Sequence, residues 1–249
     1  MRLERLHPDG HADTTPTEAI GGLRFHERAP AERPYLALNM VSTADGKAAV
    51  EGRTRAISSD IDRDIFHQLR TQFDAVMVGA GTVRTERYGP ITKTPELREK
   101  RRHEGVREEA LAVIVSGSLN LPEDVPLLQD RDSQVVILTQ SEGELEGVKA
   151  QVSYLRSPGT LDMRPLVEQL RSEYGVRSVL CEGGPTLNAS LIPYGLVDEL
   201  FLTLAPSIAG GANALTIVAG MPLPELRGLQ LLSVLRAEDE LFLRYALRR

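Results

Sequence analysis

Apolar residues in this chain come in short, nearly unbroken runs. Tyr35–Val41, Ala75–Val78, Leu111–Val115, Val135–Leu138 and Ser178–Leu180 each read as a strand buried on both faces. Between them the pattern turns helical, over 59–72, 162–174 and 185–193. Strands alternating with helices predict one α/β domain with a mixed, mainly parallel sheet flanked by helices. Past residue 199 the character changes. Leu200–Leu204, Leu229–Leu235 and Leu241–Leu247 are strand-like, and the polar 236–240 predicts an antiparallel hairpin closing one sheet edge. Residues 1–33 are polar and rich in turn formers. They predict an extension that wraps the domain or stays loose, leaving 34–249 as the domain proper. Between 96 and 109, five acids stand against five bases, the signature of a solvated helix or loop.

Composition narrows the function classes. A chain of 249 residues with 41% hydrophobic residues can bury a full core without disulfides. A net charge of −6 argues against nucleic acid and anionic lipid as partners. The single cysteine, Cys181, excludes an internal disulfide and a Cys-rich metal site, and the five histidines form no HxH or HxxH pair. No apolar run approaches the roughly 18–20 residues of a membrane span, and no signal peptide is evident. The expectation is a cytoplasmic protein with no metal.

Two strand-to-helix turns carry glycine. Gly79, Ala80, Gly81 and Thr82 follow one strand; Gly183, Gly184, Pro185, Thr186 and Leu187 follow another. Small residues let a phosphate approach the backbone, and amides at the next helix start face the anion. On neighbouring strands such turns would clamp a pyrophosphate, although each alone equally suits a plain tight turn. Neither matches the dinucleotide fingerprint or the P-loop. At the end of the first strand, either Asn39, Ser42 and Asp45 line a site mouth or the Asp-Gly is only a turn. Arg70 ends the 59–72 helix, where an arginine answers the helix dipole or clamps an anion. Glu182, between an apolar strand and a glycine turn, is partly desolvated and must find donors. They are either turn amides or the polar edge of a ring.

Taken in order, Asn39–Lys47, Val78–Val83, Glu182–Leu187, Gly195–Leu200, Ala205–Pro206 and Gly210–Gly211 resemble the reductase domain of the riboflavin-biosynthesis deaminase–reductases and their stand-alone pyrimidine-reductase relatives. The resemblance runs from about Tyr35 to the C-terminus. It implies a dihydrofolate-reductase-like fold, a homodimer, and NADPH-dependent reduction of 5-amino-6-(5-phosphoribosylamino)uracil by hydride transfer to C1. It puts cofactor contacts on Val41, Thr54, Ala56, Gly79, Ala80, Gly81, Thr82, Glu86 and Gly183 to Leu187. Substrate contacts fall on Asn39, Asp45, Thr54, Arg70 and Glu182, with Asp45 and Glu182 as the catalytic acids. The 2′-phosphate would lie near Ser116, Ser118 or Thr139. The zinc pattern of the deaminase is absent, so deamination would fall to another protein. The chain also departs from the family. Asn39 stands where many members have lysine, and Ala56 where some have tryptophan. Thr85–Pro90 replaces an acidic run and a downstream arginine, with Arg87 as a replacement cation. These changes bear on the substrate rather than the cofactor. Reduction of a pterin or folate in the same groove, and NADPH binding without turnover, remain open alternatives.

Overall fold

The computed structural model describes residues 2–8, 10, 12–92, 94–212 and 214–248. The strands are β1 (Leu3–His7), β2 (Ala12–Thr14), β3 (Tyr35–Thr43), β4 (Ala75–Gly79), β5 (Leu111–Val115), β6 (Gln134–Thr139), β7 (Gln151–Arg156), β8 (Ser178–Cys181), β9 (Glu199–Ala205), β10 (Leu229–Ala237) and β11 (Glu240–Leu247). The helices are α1 (Pro16–Ile20), α2 (Asp60–Arg70), α3 (Ala80–Glu86), α4 (Pro95–His103), α5 (Pro126–Gln129), α6 (Met163–Ser172) and α7 (Pro185–Leu191). All strands join one sheet in the order β2-β1-β10-β11-β9-β3-β8-β4-β5-β6-β7. The run from β9 to β7 is parallel; β9, β11, β10, β1 and β2 pair antiparallel. The sheet is mixed and mainly parallel about its centre, and the apolar runs form its interior strands.

A core layer covers each face, as continuous apolar strands require. One layer holds Val76, Val78, Ile114 and Ile137 of the sheet with Ile65 and Leu69 of α2, Phe25 and Phe73. The other holds Met77, Val113 and Val136 with Leu166 and Leu170 of α6 and Leu191 of α7. Helix starts follow the sequence closely. The Ser59 hydroxyl accepts from the Asp62 amide at the head of α2, and Asp162 caps α6 in the same manner.

One expectation is decided and two are corrected. Of the two arrangements expected for the N-terminal residues, the described ones take the wrapping one: β1 pairs with β10 and β2 with β1, while Leu3 and Phe25 are fully buried. Consequently the C-terminal hairpin β10–β11 does not close the sheet edge, because the N-terminal strands lie outside it. The charge run is not merely solvated. Arg101 of α4 is 1% exposed and donates to the carbonyl oxygens of Phe73, Asp74, Arg107, Glu108 and Arg70. A guanidinium is a five-donor fork and can satisfy several converging carbonyls at once.

Candidate active site

The two glycine turns meet because their strands are parallel neighbours. β4 and β8 pair directly and in parallel, so both chains leave the sheet at the same, C-terminal, end of their strands. The Gly79 amide donates to the Gly183 carbonyl at 2.8 Å. Gly183 has φ +85°, and a Cβ there would sit 3.2 Å from Met40 Sδ. A Cβ on Gly184 would stand 3.1 Å from Thr82 Oγ1. Glycine is therefore needed at these positions for close approach as well as for the turn. Gly79 heads α3 and Gly184 heads α7, and neither helix start has a side-chain cap. Their first amides remain open to an anionic ligand.

A cavity of about 670 Å³ lies over these turns, lined by Gly79, Ala80, Gly81 and Thr82 on one side and Gly184, Pro185, Thr186 and Leu187 on the other. Ser116 and Ser118 line its far wall with Arg84. A second cavity of about 640 Å³ adjoins it, lined by Asn39, Val41, Asp62, Phe66, Arg70 and Arg87. Met40, Thr54, Thr82, Glu86 and Glu182 line both. Glu86 accepts from the Thr54 amide at 3.0 Å and hydroxyl at 3.1 Å, fastening the 50–58 loop across the junction.

Glu182 sits at that junction in a two-point ion pair with Arg70: Nε to Oε1 and Nη2 to Oε2, both 2.7 Å. Arg70 Nη2 also donates to the Tyr88 hydroxyl at 2.9 Å, and the guanidinium lies 4.2 Å from the Phe66 ring centroid. The Glu182 and Arg70 side chains are only 3% and 9% exposed. Burial pushes the Glu182 carboxyl above the ordinary carboxylate range, and the Arg70 charge opposes that shift. Cys181, fully buried beneath the turn, has its thiol pushed up to about 12 by desolvation and is core filler.

The site thus gathers Asn39, Val41, Thr54, Arg70, Gly79, Ala80, Gly81, Thr82, Glu86, Arg87, Glu182 and Gly184 to Leu187 around the two cavities. Three expectations need correction. Asp45 lies outside both linings; its carboxylate accepts from the Thr43 hydroxyl and from the Ala209 and Gly210 amides. Those hydrogen bonds, the Thr43 hydroxyl first, hold its pKa down at about 2, which is unsuited to a proton donor at neutral pH. Ala56 is exposed and lines neither cavity. Thr139 is fully buried and donates to the Gly117 carbonyl. Arg87, a left-handed helix cap, lines the second cavity, and its guanidinium pairs with the exposed Asp124 at 3.0 Å.

Several lining residues escaped the sequence reading, among them Arg55, Ser58, Asp62, Arg63, Phe66, His67 and Tyr88. The signal for part of this set was present. Arg63, Phe66, His67 and Arg70 are spaced i, i+3, i+4 and i+7, one face of a capped helix. Asp62 is 8% exposed, and its carboxyl is raised by burial against hydrogen bonds from the Ser58 and Thr203 hydroxyls.

Comparison with known proteins identifies the family. The RibD C-terminal domain family matches residues 34–243. The 2,5-diamino-6-ribosylamino-4(3H)-pyrimidinone 5′-phosphate reductase of Archaeoglobus fulgidus is 34% identical over 193 residues, covering 76% of this chain and 87% of the relative. The protein of that name in Methanothermobacter thermautotrophicus is 32% identical, covering 78% and 88%. Among solved structures, a pyrimidine reductase-like protein of Corynebacterium diphtheriae shares the fold at a TM-score of 0.76. It is 22% identical, with 95% of this chain and 100% of that one covered. By sequence, fold and the paired glycine turns, this chain belongs to the RibD C-terminal domain family.

Proposed function

We propose that the chain is an NADPH-dependent reductase of a phosphoribosylamino-pyrimidine. The carrying observation is the pair of abutting glycine turns, whose open helix starts face a cavity that continues into a second one through Glu182. The first cavity suits the dinucleotide, with the pyrophosphate at the amides after Gly79 and Gly184 and the 2′-phosphate near Ser116, Ser118 and Arg84. A reduced nicotinamide, when bound, would supply the hydride to C1 of the ring-opened ribosylamine (an imine), and an acidic group or water would supply the proton to its nitrogen. The residues of the chain orient and exclude. Glu182, fixed by Arg70, presents a carboxyl edge to donor groups of the heterocycle; Thr54 and Glu86 close the junction; Met40 excludes water beneath it. Asp45 holds the 43–47 turn to the 209–210 loop and takes no part in proton transfer.

The test is NADPH oxidation with the 2,5-diamino-pyrimidinone and the 5-amino-uracil substrates, each as the 5′-phosphate, and with dihydrofolate. Turnover of either pyrimidine supports the reading. Turnover of dihydrofolate alone, or tight NADPH binding with no turnover, replaces it with a pterin reductase or a binding module. The exposed apolar residues Met221, Leu226, Leu229 and Leu231 offer a face for a homodimer. A monomer by light scattering at micromolar concentration defeats that part.

A further inference from the structure

A third cavity, of about 250 Å³, lies beside the second and shares Asn39 with it. Its floor is one face of five strands. Alternate residues of a strand share a face, so Arg5 follows buried Leu3 on β1, Asn39 follows Ala37 on β3, and Thr203 follows Phe201 on β9. Ser233 and Leu235 on β10, with Phe242 and Arg244 on β11, complete that floor. Ala19 and Ile20 of α1 and Ile65 of α2 form the roof. Residues from 5 to 23 therefore build one wall of the cavity, and they lie outside the 34–243 span of the family match.

Most of the lining is apolar, from Ile20, Ile65, Phe201, Leu235 and Phe242, and no carboxylate belongs to it among the described residues. Two arginines do. Arg244 is matched: its Nε and Nη2 donate to the two oxygens of Glu199 at 2.6 and 2.9 Å, and its guanidinium lies over the Phe25 and Phe201 rings. Arg5 is not matched. Its guanidinium is half-buried and has no hydrogen-bond or ion-pair partner among the described residues. The Asn39 amide and the Ser233 hydroxyl, also half-buried, are likewise without a side-chain partner among the described residues. Thr203 differs, since its hydroxyl donates to Asp62 at 2.7 Å. An apolar pocket with a few convergent, unmatched polar groups is the usual composition of a small-molecule site.

We propose that this third cavity binds a small organic monocarboxylate, with a flat apolar body among Ile20, Ile65 and Phe242 and its carboxylate held by Arg5, Asn39 and Ser233. A guanidinium meets a carboxylate through two parallel N–H···O bonds. One unmatched arginine neutralises a single negative charge, so a phosphate dianion would leave charge uncompensated in apolar surroundings. Size sets the body of the ligand. A cavity of ~150 Å³ lined by Leu, Ile and Phe holds benzene, and one of about 250 Å³ holds a phenyl ring with a short tail. Asn39 stands between this ligand and the second cavity, since it lines both. The site stands whether or not the chain reduces a pyrimidine.

The probe is 3-phenylpropionate, titrated into protein with isotope-labelled isoleucine methyls and compared by NMR with the uncharged alcohol of the same skeleton. In the wild type the Ile20 and Ile65 signals should move together and saturate. Arg5→Gln should weaken the carboxylate at least tenfold and leave the alcohol unchanged, because only the charge-assisted contact is lost. Ala19→Phe should fill the cavity and abolish binding of both; if its Tm falls, Ser233→Leu takes its place. NADPH affinity should stay within about twofold in every variant, since none of these three residues lines the first cavity. Four results overturn the site: no movement of Ile20 and Ile65 at millimolar probe, equal carboxylate affinity in the wild type and Arg5→Gln, an alcohol that binds as well as the carboxylate, or binding that survives in the filled cavity.

Discussion

Replacing either partner of the Arg70–Glu182 pair should unsettle the whole domain, because each would leave a buried group without its match. Both hydrogen bonds are 2.7 Å long, and the side chains are 9% and 3% exposed. Breaking such a pair from one side costs about 3–5 kcal/mol. For a domain of this size each kcal/mol lowers Tm by roughly 2–4 °C, so a fall of about 6–20 °C is expected. Glu182→Leu should fall at the gentler end, since Arg70 keeps the Tyr88 hydroxyl and the Phe66 ring. Arg70→Leu should be worse and should depend on pH. Glu182 is already raised by burial, and loss of the Arg70 charge that opposes this raises it further. In the unfolded chain the carboxyl ionises near ~4.3. Above that pH unfolding releases a proton, so the variant loses stability as pH rises until the folded carboxyl itself ionises. The double variant Arg70→Leu/Glu182→Leu removes both charges and should recover most of the loss. Urea unfolding followed by circular dichroism, at pH 5 and pH 8, gives all four corners of the cycle. Single variants that each lose less than about 1 kcal/mol, or a double variant whose loss is the sum of the two, would refute the coupling.

Gly183→Ala should lower NADPH affinity at least tenfold, because φ +85° and the 3.2 Å approach to Met40 Sδ force the turn open; fluorescence titration of the cofactor reads this. Arg101→Leu should cost at least about 3 kcal/mol in urea unfolding, since several buried carbonyls lose their donor together. Burial lowers the pKa of Arg101 only to about 10, so it remains a cation throughout the neutral range. Asp45 should titrate near pH 2 by carbon-detected NMR. Its folded pKa is depressed, so its tie to the 209–210 loop is fully present above about pH 4 and lost as pH falls through about 2. An Asp45 pKa above 4 would return it to the list of proton donors.

What the sequence determined by itself was mostly local. Continuous apolar runs report that both faces of a strand are covered, so β3, β4, β5, β6 and β8 were legible. So was the glycine turn after β8, because φ > 0 at Gly183 and close approach at Gly183 and Gly184 leave few residues to choose from. The family, too, was carried by motifs in chain order. Strand β7 was missed because it is an edge strand with polar residues along it, and a half-covered strand lacks the continuous run. Tertiary structure decided how distant residues meet. Arg70 and Glu182 lie 112 positions apart and pair because β8 ends beside the helix that carries the arginine. That meeting gives Arg70 a carboxylate partner in the wall of the second cavity. Asp45 stands among site residues in sequence, yet the amides of Ala209 and Gly210 draw its side chain away. The N-terminal strand finds β10, more than 200 residues later, through backbone hydrogen bonds that carry no side-chain signature. Side-chain periodicity reports which face of an element is covered; only folding decides which element covers it.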